Sequence, residues 1–447
     1  MGAQAGIGLR LVRGTISAAP VGAQLVDPIL DQDYRDNGQP DEELVELGRR
    51  LFFDKVLSGN RNISCATCHH PLFGTGDAIS MSVGEGGRGI GDERDTGKGA
   101  SRIRARVPRN APALFNIGAR QFRSMFHDGR VQESVTGSGF DTPAGADLPD
   151  RLADVVAAQA LFPLTNGTEM AGQADENEIG AAVAAGQTAG RRGAWDLIAA
   201  RVRGVPEYVR LFRRASDTVG KKRHITIVEI ANAIAAFESA AWRSDNSPFD
   251  DFLRGDDGAL TGQHRRGMNL FYGRARCSSC HDGAFQTDQK FHSIALPQVG
   301  PGNGDGVGGH EDFGRQNVSG GAADRFAYRT PSLRNVTETG PWGHSGAFAT
   351  LEGIVRHYID PPRFLRNYDR SQAILPSSKS LDPLDFLVMN DRALVDAIGR
   401  SNGSRPVRLN DADIADLIAF LEALTDPDAR DLSGDIPSEV PSGLGTQ

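Results

Sequence analysis

Four segments of the chain carry apolar residues at helical spacing, and they form two matched pairs. Residues 41–53 (DEELVELGRRLFF) and 260–272 (LTGQHRRGMNLFY) repeat apolar positions three and four apart, which predicts amphipathic helices. Residues 225–242 and 409–426 combine an apolar face with acidic residues near the start, where these favour the helix dipole. The pattern predicts a mainly α-helical protein in which one plan occurs twice, with a boundary near residues 243–252.

Two glycine-rich stretches, residues 84–99 and 300–321, lie between the predicted helices. Glycine makes up 54 of the 447 residues, and it costs backbone entropy inside regular elements, so we expect long irregular loops. Neither stretch follows a predicted strand, which argues against a phosphate-binding loop and favours surface loops. Residues 429–447, rich in Ser, Pro and Gly, are predicted to form a flexible tail.

Charge and hydropathy exclude several classes of protein. The net charge is −8, which does not favour a nucleic-acid surface. No run of about 18 apolar residues is present, so we expect no transmembrane segment. Residues 1–24 contain arginines and small residues but lack the apolar run of an ordinary secretory signal.

All four cysteines belong to two Cys-x-x-Cys-His motifs, Cys65-Ala66-Thr67-Cys68-His69 and Cys277-Ser278-Ser279-Cys280-His281. This motif attaches c-type haem: the thiols bond to the haem and the histidine ligates the iron. A zinc site or a redox dithiol is the alternative. Two motifs, each flanked by predicted helices, favour two cytochrome c-like haem domains. Because c-type haem is attached outside the bacterial cytoplasm, we expect a periplasmic protein.

The sixth ligand of the second haem iron is not evident from the residues alone. Methionine is a common partner of histidine in electron-transfer haems, but none occurs between residues 282 and 388. The other candidates in this region are His292, His310, His344, His357, Tyr328, Tyr358 and Tyr368.

From about residue 41 to 426 the chain resembles the bacterial di-haem cytochrome c peroxidase and MauG family. Besides the two haem motifs, the resemblance rests on residues 109–112 (RNAP), 126–130 (FHDGR), 159–170, 329–335 (RTPSLRN) and 339–346 (TGPWGHSG). It implies an N-terminal extension (1–40), a peroxidatic domain (41–245), an electron-transfer domain (246–428) and the tail (429–447). Because family members react with hydrogen peroxide, it also implies an enzyme.

The resemblance implies that His69 is the proximal ligand of a high-spin, peroxide-binding haem. The family's distal glutamine and glutamate, ten residues apart, correspond to Gln159 and Glu169. A carboxylate there can take a proton from peroxide and return it to the departing oxygen, and burial would raise its pKa.

The family's second axial ligand, fourteen residues after the position of His344, corresponds to Tyr358, with His357 as its competitor. Peroxidases have methionine there, whereas MauG-type enzymes have tyrosine. The resemblance therefore favours a MauG-like enzyme in which a high-valent di-haem state oxidises a protein side chain or another donor by long-range electron transfer.

The family also binds calcium between its haems, and Asn110, Thr339 and Pro341 match the calcium-binding positions. His127 replaces the family's inter-haem tryptophan, so either this imidazole or another aromatic such as Trp342 mediates transfer.

Three further features bear on activity and access. Family peroxidases that need reductive activation carry a histidine in the loop after the first motif, which blocks the peroxide site. No histidine lies between His70 and Asn110, so the resemblance implies a peroxide site that is open in the resting enzyme. Ala275 replaces a surface tryptophan that MauG uses to oxidise its substrate. A long insertion between Arg130 and Gln159 is expected to shape access to the first haem or to form a partner surface.

Two alternatives stay open at this point. One is a cytochrome c peroxidase that reduces hydrogen peroxide to water with electrons from a small cytochrome or cupredoxin; the other is a non-catalytic di-haem electron carrier. The expected partners are peroxide and either a protein substrate or a small redox protein, without nucleic acid. We expect a monomer or homodimer.

Overall fold

The computed structural model describes residues 26–216, 219 and 224–446 and is rich in helix. Residues 1–25, most of the expected N-terminal extension, lie outside the described residues. None of the helices in the described ranges has the length and apolar character needed to cross a membrane.

The helices of the described residues are listed here in chain order. They are α1 (Glu42–Phe53), α2 (Cys65–Cys68), α3 (Val155–Ala160), α4 (Glu178–Ala184), α5 (Ala194–Arg203), α6 (Pro206–Arg214), α7 (Ile227–Ala241), α8 (Pro248–Leu253), α9 (Gly262–Tyr272), α10 (Gln316–Ser319), α11 (Leu351–His357), α12 (Pro361–Arg366), α13 (Leu387–Asn390), α14 (Arg392–Arg400) and α15 (Asp411–Glu422).

The strands are short and form two small antiparallel sheets. In the first, β1 (Ser124–Met125), β2 (Val131–Glu133) and β3 (Phe140–Asp141) lie in sequence order, with Met125 opposite Val131 and Glu133 opposite Phe140. In the second, β4 (Phe291–His292) pairs with β5 (Tyr328–Arg329). The prediction of a mainly α-helical protein is confirmed.

The four helices predicted from apolar spacing form where their first residues are capped. The Asp41 side chain accepts a hydrogen bond from the Leu44 backbone at the start of α1, and Asn410 accepts one from the Asp413 backbone at the start of α15. Thr226 and Thr261 cap α7 and α9 in the same way. Each cap satisfies a backbone N–H group that has no partner inside the helix, so the local sequence sets where each helix begins.

The same close helix crossing occurs twice. Helix α1 packs on α7, and α9 packs on α15. A Cβ atom at Gly48 would lie 1.8 Å from the carbonyl oxygen of Ala233, and one at Gly267 would lie 1.9 Å from that of Asp416. The next neighbours are Phe237 and Phe420, each four residues farther along its helix. The repeat predicted from the helical pattern therefore extends to the packing of backbone on backbone.

Two apolar cores accompany these crossings. The larger contains residues of α1, α3, α5 and α7 together with the segment 114–131, and the other contains residues of α8, α9 and α15. Helix α2, with the first Cys-x-x-Cys pair, packs against the larger core. Cys277 of the second pair packs against the other core.

The glycine-rich stretch 84–99 differs in part from the expected surface loop. Glu85 and Arg94 are 7% and 3% exposed. The Arg94 guanidinium donates to the backbone carbonyls of Val83, Gly84 and Gly89 and so fastens the loop to itself. The stretch is a loop with exposed outer residues, as expected, but a long cationic side chain fills its buried centre.

The C-terminal tail also differs from its expectation. Val440 is buried in the larger core, and the Ser442 hydroxyl and backbone N–H both donate to the buried carboxylate of Asp54. The Trp242 indole donates to Asp435 at 3.1 Å. Serine and aspartate are common in flexible segments, but here they satisfy polar groups at the edge of the first core, so residues 435–442 pack against it.

Candidate active site

Both Cys-x-x-Cys-His motifs form a short helical turn that places the histidine directly after the second cysteine. In the first, the His69 backbone N–H donates to the Cys65 carbonyl at 3.0 Å. In the second, residues Cys277–Ser279 form a 3-10 turn and the His281 N–H donates to the Cys277 carbonyl at 2.9 Å. Each turn presents two half-buried thiols and one imidazole from the same short segment.

The two motif histidines have the same hydrogen-bond arrangement. Nδ1–H of His69 donates to the Thr75 carbonyl at 3.1 Å, and Nδ1–H of His281 donates to the Gln286 carbonyl at 3.2 Å. A carbonyl can only accept, so Nδ1 carries the proton in both rings and Nε2 carries the lone pair. Burial lowers the pKa of each histidine to about 4, which keeps the rings neutral. A hydrogen bond from Nδ1–H to a backbone carbonyl is the arrangement that orients a histidine whose Nε2 ligates a metal.

The donor set fits haem better than zinc. A zinc site needs several ligand atoms close together. In the described ranges, one group of three such side chains has its ligand atoms within 4.8 Å of one another: Cys280, Asp288 and His292. Cys65 and Cys68 belong to no such group in the described ranges. A structural zinc site normally needs four ligands, so the first motif lacks the ligands for zinc. Asp288 and His292 already pair with each other at 2.8 Å. Two thiols and one oriented imidazole per motif are what covalent haem attachment requires.

Gln159 and Glu169 lie on either side of a tight turn. Gln159 is in the last turn of α3, and its side-chain amide has no hydrogen-bond partner among the described residues. Glu169 follows the 3-10 turn Pro163–Thr165, and its charge acts on Cys68 of the first motif. Burial raises the pKa of Glu169, while the positive charge of Arg130 acts in the opposite direction. A buried carboxyl group with a raised pKa therefore lies close enough to Cys68 for its charge to act on this thiol.

Asn166 is a site residue that the sequence reasoning missed. Its Nδ2–H donates to Oε1 of Glu169 at 2.9 Å, and its backbone carbonyl accepts the N–H groups of Glu169, Met170 and Ala171. The available signal was local: an Asn-Gly pair between Pro163 and Glu169 predicts a turn. That signal does not show that the side chain bonds to the carboxylate.

Tyr358 and His357 have different surroundings at the end of α11. The Tyr358 phenol is close enough to Cys277 and Cys280 for their charges to act on it, and burial raises its pKa well above the ordinary value. Its hydroxyl has no hydrogen-bond partner within the described part of the chain. His357 is fully buried, donates from Nε2 to the Ile294 carbonyl at 2.9 Å, and packs beside Phe348. The tyrosine is thus the member of the pair that lies near the second motif with a free oxygen.

The two other tyrosines have engaged hydroxyls, and among the other histidines His344 keeps a buried Nδ1 without a hydrogen-bond partner in the described ranges. The Tyr368 hydroxyl donates to the Ala347 carbonyl, and the Tyr328 hydroxyl donates to the Asp312 carbonyl at 3.1 Å. His344 stacks on Tyr328 with ring centroids 3.7 Å apart. His310 lies in the exposed part of the second glycine-rich stretch.

His127 connects the backbone segments that lie beside the two motif histidines. Its Nε2–H donates to the Asn110 carbonyl at 3.0 Å, and its own carbonyl accepts the Arg329 N–H at 2.7 Å. Asn110 is two residues before Pro112, whose backbone lies beside the His69 ring. Arg329 is two residues before Pro331, whose backbone lies beside the His281 ring. Trp342, the alternative mediator, packs instead among residues of the second core.

A buried ionic network holds this central region together. The Arg109 guanidinium donates to both carboxylate oxygens of Asp312, at 2.7 and 2.8 Å, and to Asp128 at 2.6 Å. Burial acts in the opposite direction, but Arg109 lowers the pKa of Asp312 to about 2. The Arg109 guanidinium thus bonds to Asp128, next to His127, and to Asp312, in the segment before β5, and so holds the two segments together.

The residues matched to the calcium site present free oxygen atoms. Asn110 uses its Nδ2–H to donate to the Ile79 carbonyl at 2.9 Å, which leaves Oδ1 free. Within the described ranges, no residue donates to the carbonyls of Thr339 or Pro341. The Asn110 N–H donates to the His344 carbonyl at 2.9 Å, so the two segments are in contact. Three unpaired oxygen donors of this kind suit calcium.

The insertion after Arg130 forms β2, β3 and the connections around them. It borders a surface cavity of about 760 Å³ together with residues of α1 and α7. None of the residues that line this cavity belongs to either haem motif. The insertion therefore shapes a surface beside the first core.

The comparisons with known proteins agree with this arrangement of helices and motifs. The family model for di-haem cytochrome c peroxidase matches residues 42–258. The chain is 31% identical over 317 residues to the methylamine utilization protein MauG of Methylorubrum extorquens, covering 71% of this chain and 69% of that protein. It is also 31% identical over 332 residues to the cytochrome c551 peroxidase of Pseudomonas aeruginosa, covering 74% and 76%. The chain belongs to the di-haem cytochrome c peroxidase family, and the predicted enzyme class is confirmed.

Solved structures share the fold. A MauG-like protein associated with microbial copper homeostasis aligns with a TM-score of 0.58 at 24% identity, over 93% of this chain and 97% of that one. The di-haem peroxidase BthA of Burkholderia thailandensis aligns with a TM-score of 0.52 at 22% identity, over 91% of each chain.

Proposed function

We propose that this chain is a periplasmic MauG-like enzyme with two covalent c-type haems, which uses hydrogen peroxide to oxidise a protein side chain or another electron donor at long range. The observation that carries the MauG-like assignment is the position of Tyr358. Its free phenol lies near Cys277 and Cys280, while neighbouring His357 bonds to the Ile294 carbonyl. An anionic oxygen ligand favours oxidised iron, whereas the thioether of a peroxidase favours reduced iron.

Residues of each motif would attach one haem and ligate its iron. Cys65 and Cys68 would attach the first, with His69 as its ligand. The second would be attached by Cys277 and Cys280 and held between His281 and Tyr358. When bound, haem would supply the iron that coordinates peroxide and the two electrons that cleavage of the O–O bond consumes.

Glu169 and Gln159 act on peroxide at the first site. The Glu169 carboxylate accepts one proton from hydrogen peroxide and returns it to the departing oxygen, which leaves as water, so that the carboxylate ends the sequence unchanged. The Gln159 amide, free of other partners, donates a hydrogen bond that orients the substrate. Because Glu169 must be ionised to accept the proton, the reaction slows as the pH falls through its raised pKa.

His127 and calcium order the region between the two motifs. His127 joins the backbones beside His69 and His281 by two hydrogen bonds and so provides a short connection between the haem sites. Oδ1 of Asn110 and the carbonyls of Thr339 and Pro341 would hold calcium, which would fix the segment to which His127 donates.

A cytochrome c peroxidase is the second candidate, and one observation favours it. Ala275 is 8% exposed and lies in the second core, so the position that MauG uses for a surface tryptophan is buried and not aromatic in this chain. The MauG route to a protein substrate is therefore not reproduced at this position.

Peroxide turnover with a small electron donor separates the two functions. The diferric holoenzyme is mixed with peroxide alone and with peroxide plus reduced cytochrome c. A MauG-like enzyme reacts with peroxide alone, develops a long-lived near-infrared band and oxidises the cytochrome slowly. Rapid, stoichiometric oxidation of the cytochrome without such a band identifies the peroxidase instead.

A further inference from the structure

The side-chain amide of Asn166 has a fixed orientation in the distal turn. Its Oδ1 accepts the backbone N–H of Thr168 at 2.9 Å and the Thr168 hydroxyl at 2.8 Å. A backbone N–H can only donate, so the amide oxygen faces Thr168 and the amide nitrogen faces Glu169. Nδ2–H then donates to Oε1 of Glu169 at 2.9 Å.

We propose that Asn166 is a positioning residue for proton transfer: it holds Oε1 of Glu169 and leaves Oε2 to accept the proton of peroxide and return it. This inference rests on the proposed role of Glu169. A hydrogen bond to an ionised carboxylate favours the charged form, so Asn166 keeps Glu169 ready to accept a proton in a buried site.

The turn is anchored by bonds that do not involve the Asn166 amide. Its backbone carbonyl accepts three N–H groups, those of Glu169, Met170 and Ala171. The Glu85 N–H donates to the Glu169 carbonyl at 2.9 Å. Because these bonds survive a change of the side chain, a variant at 166 alters the carboxylate more than the backbone.

The charged neighbours of Glu169 set the direction of the effect. Arg130 favours its ionised form, and Cys68 is the other titratable group in electrostatic contact with it. Haem attachment converts Cys68 to an uncharged thioether. The Asn166 donor and the Arg130 cation then act together against burial, and loss of the donor raises the pKa of Glu169.

The test is Asn166→Asp in the holoenzyme. Aspartate keeps an acceptor for Thr168 but presents a carboxylate oxygen to Glu169 in place of the N–H. Infrared difference spectra recorded against pH follow the protonated carboxyl band of Glu169, identified by its absence in Glu169→Gln. We expect its midpoint to rise by at least one pH unit and kcat/KM for peroxide, measured at a pH below the native midpoint, to fall about tenfold for each unit of that rise.

The matched control is Asn177→Asp. The Asn177 side chain also caps a turn: Oδ1 accepts the N–H groups of Ile179 and Gly180, while Nδ2 donates to the Ala171 carbonyl. The substitution removes the same kind of donor and adds the same charge without touching Glu169. In Asn177→Asp, the carboxyl band of Glu169 is expected to keep the midpoint that it has in the native enzyme.

Two outcomes separate the inference from the function on which it rests. If the midpoint of Glu169 is the same in Asn166→Asp as in Asn177→Asp, the positioning role of Asn166 is wrong. If Glu169→Gln reacts with peroxide as fast as the native enzyme, the proposed role of Glu169 is wrong whatever Asn166 does. Asn166→Ala, which adds no charge, is expected to shift the midpoint in the same direction by a smaller amount.

Discussion

At the scale of single residues, the site depends on which atom of each side chain is already engaged. His69 and His281 both commit Nδ1 to a carbonyl, so both keep Nε2 for iron. His357 commits Nε2 to Ile294 and keeps Nδ1 without a partner among the described residues, but Tyr358, unlike His357, is close enough to Cys277 and Cys280 for their charges to act on it. The sequence shows that these residue types are present, but the structure decides which of them lies beside the second motif with a free ligand atom.

The assignment of Tyr358 predicts a spectroscopic change. Tyr358→Phe removes the oxygen ligand, so the second haem is expected to change from low-spin to high-spin in its optical and EPR spectra. Tyr368→Phe is the control, because its hydroxyl bonds to the Ala347 carbonyl and its loss costs about 1 kcal/mol of stability without a spectral change. An unchanged low-spin spectrum in Tyr358→Phe would show that another group is the ligand.

Glu238 gives a prediction for stability against pH. It is 6% exposed on α7, its Oε2 has no hydrogen-bond partner among the described residues, and burial raises its pKa to about 8. The folded protein therefore binds this proton more tightly than the unfolded chain does. The free energy of unfolding contributed by this group is full below about pH 4.5 and is lost as the pH rises towards 8.

Glu238→Gln removes this pH dependence. Chemical denaturation of the holoenzyme is expected to show the variant about 2–4 kcal/mol more stable than the native protein at pH 8, with the gain falling towards zero near pH 4.5. Glu229→Gln on the same helix is the control: Glu229 completes the cap of Thr226, so its loss destabilises the protein. An equal gain at both pH values would contradict the account of Glu238.

At the scale of elements, the repeated unit is a helix pair that crosses at a glycine. Gly48 and Gly267 each lie against a backbone carbonyl, at a place where no side chain fits. In each copy the crossing brings together the helix before the haem motif and the helix that closes the copy.

This crossing predicts the effect of one added methyl group. Gly48→Ala and Gly267→Ala are each expected to lower the free energy of unfolding by about 3 kcal/mol, because the helices must move apart. Gly399→Ala on α14 is the control, since its Cβ atom would meet no neighbour closer than 3.9 Å and alanine favours helix by about 1 kcal/mol. Thermal or chemical unfolding measures the stability of all three variants. Equal effects at the three positions would contradict the close helix crossings at Gly48 and Gly267.

The helices were predictable because their signals are local. Asp41, Thr226 and Thr261 begin helices in which the apolar spacing is already visible in the sequence. The burial of Arg94 was not predictable, because its partners are backbone carbonyls and any residue supplies those. Asn166 was missed for a similar reason: an Asn-Gly turn is visible in the sequence, but the direction of its amide is not.

At the scale of the whole molecule, the C-terminal tail lies against the core of the first haem-motif region. The tail was expected to be free but packs on α1 and α7 through Val440, Ser442 and Asp435. Compositional signals of flexibility failed here because the partners, Asp54 and Trp242, lie some 200 residues or more away in the sequence. The Arg109 network is comparably long-range, since Asp312 lies far from Arg109 in sequence.

The docked tail predicts a loss of stability on truncation. A chain ending at Asp435 loses the burial of Val440 and the two hydrogen bonds from Ser442 to Asp54. The expected cost is about 2–4 kcal/mol, measured by chemical denaturation of the holoenzyme. A chain ending at Leu444 keeps these contacts and serves as the control; if both truncated chains are as stable as the native one, the tail does not contribute to the fold.

The central claim is that the first haem site is open to peroxide while the second is closed by Tyr358. EPR of the resting diferric holoenzyme tests it most directly, before any substrate is added. The account predicts one high-spin signal, from the His69 haem, and one low-spin signal, from the haem held by His281 and Tyr358. Two low-spin signals without a high-spin component would contradict it and identify the protein as an electron carrier.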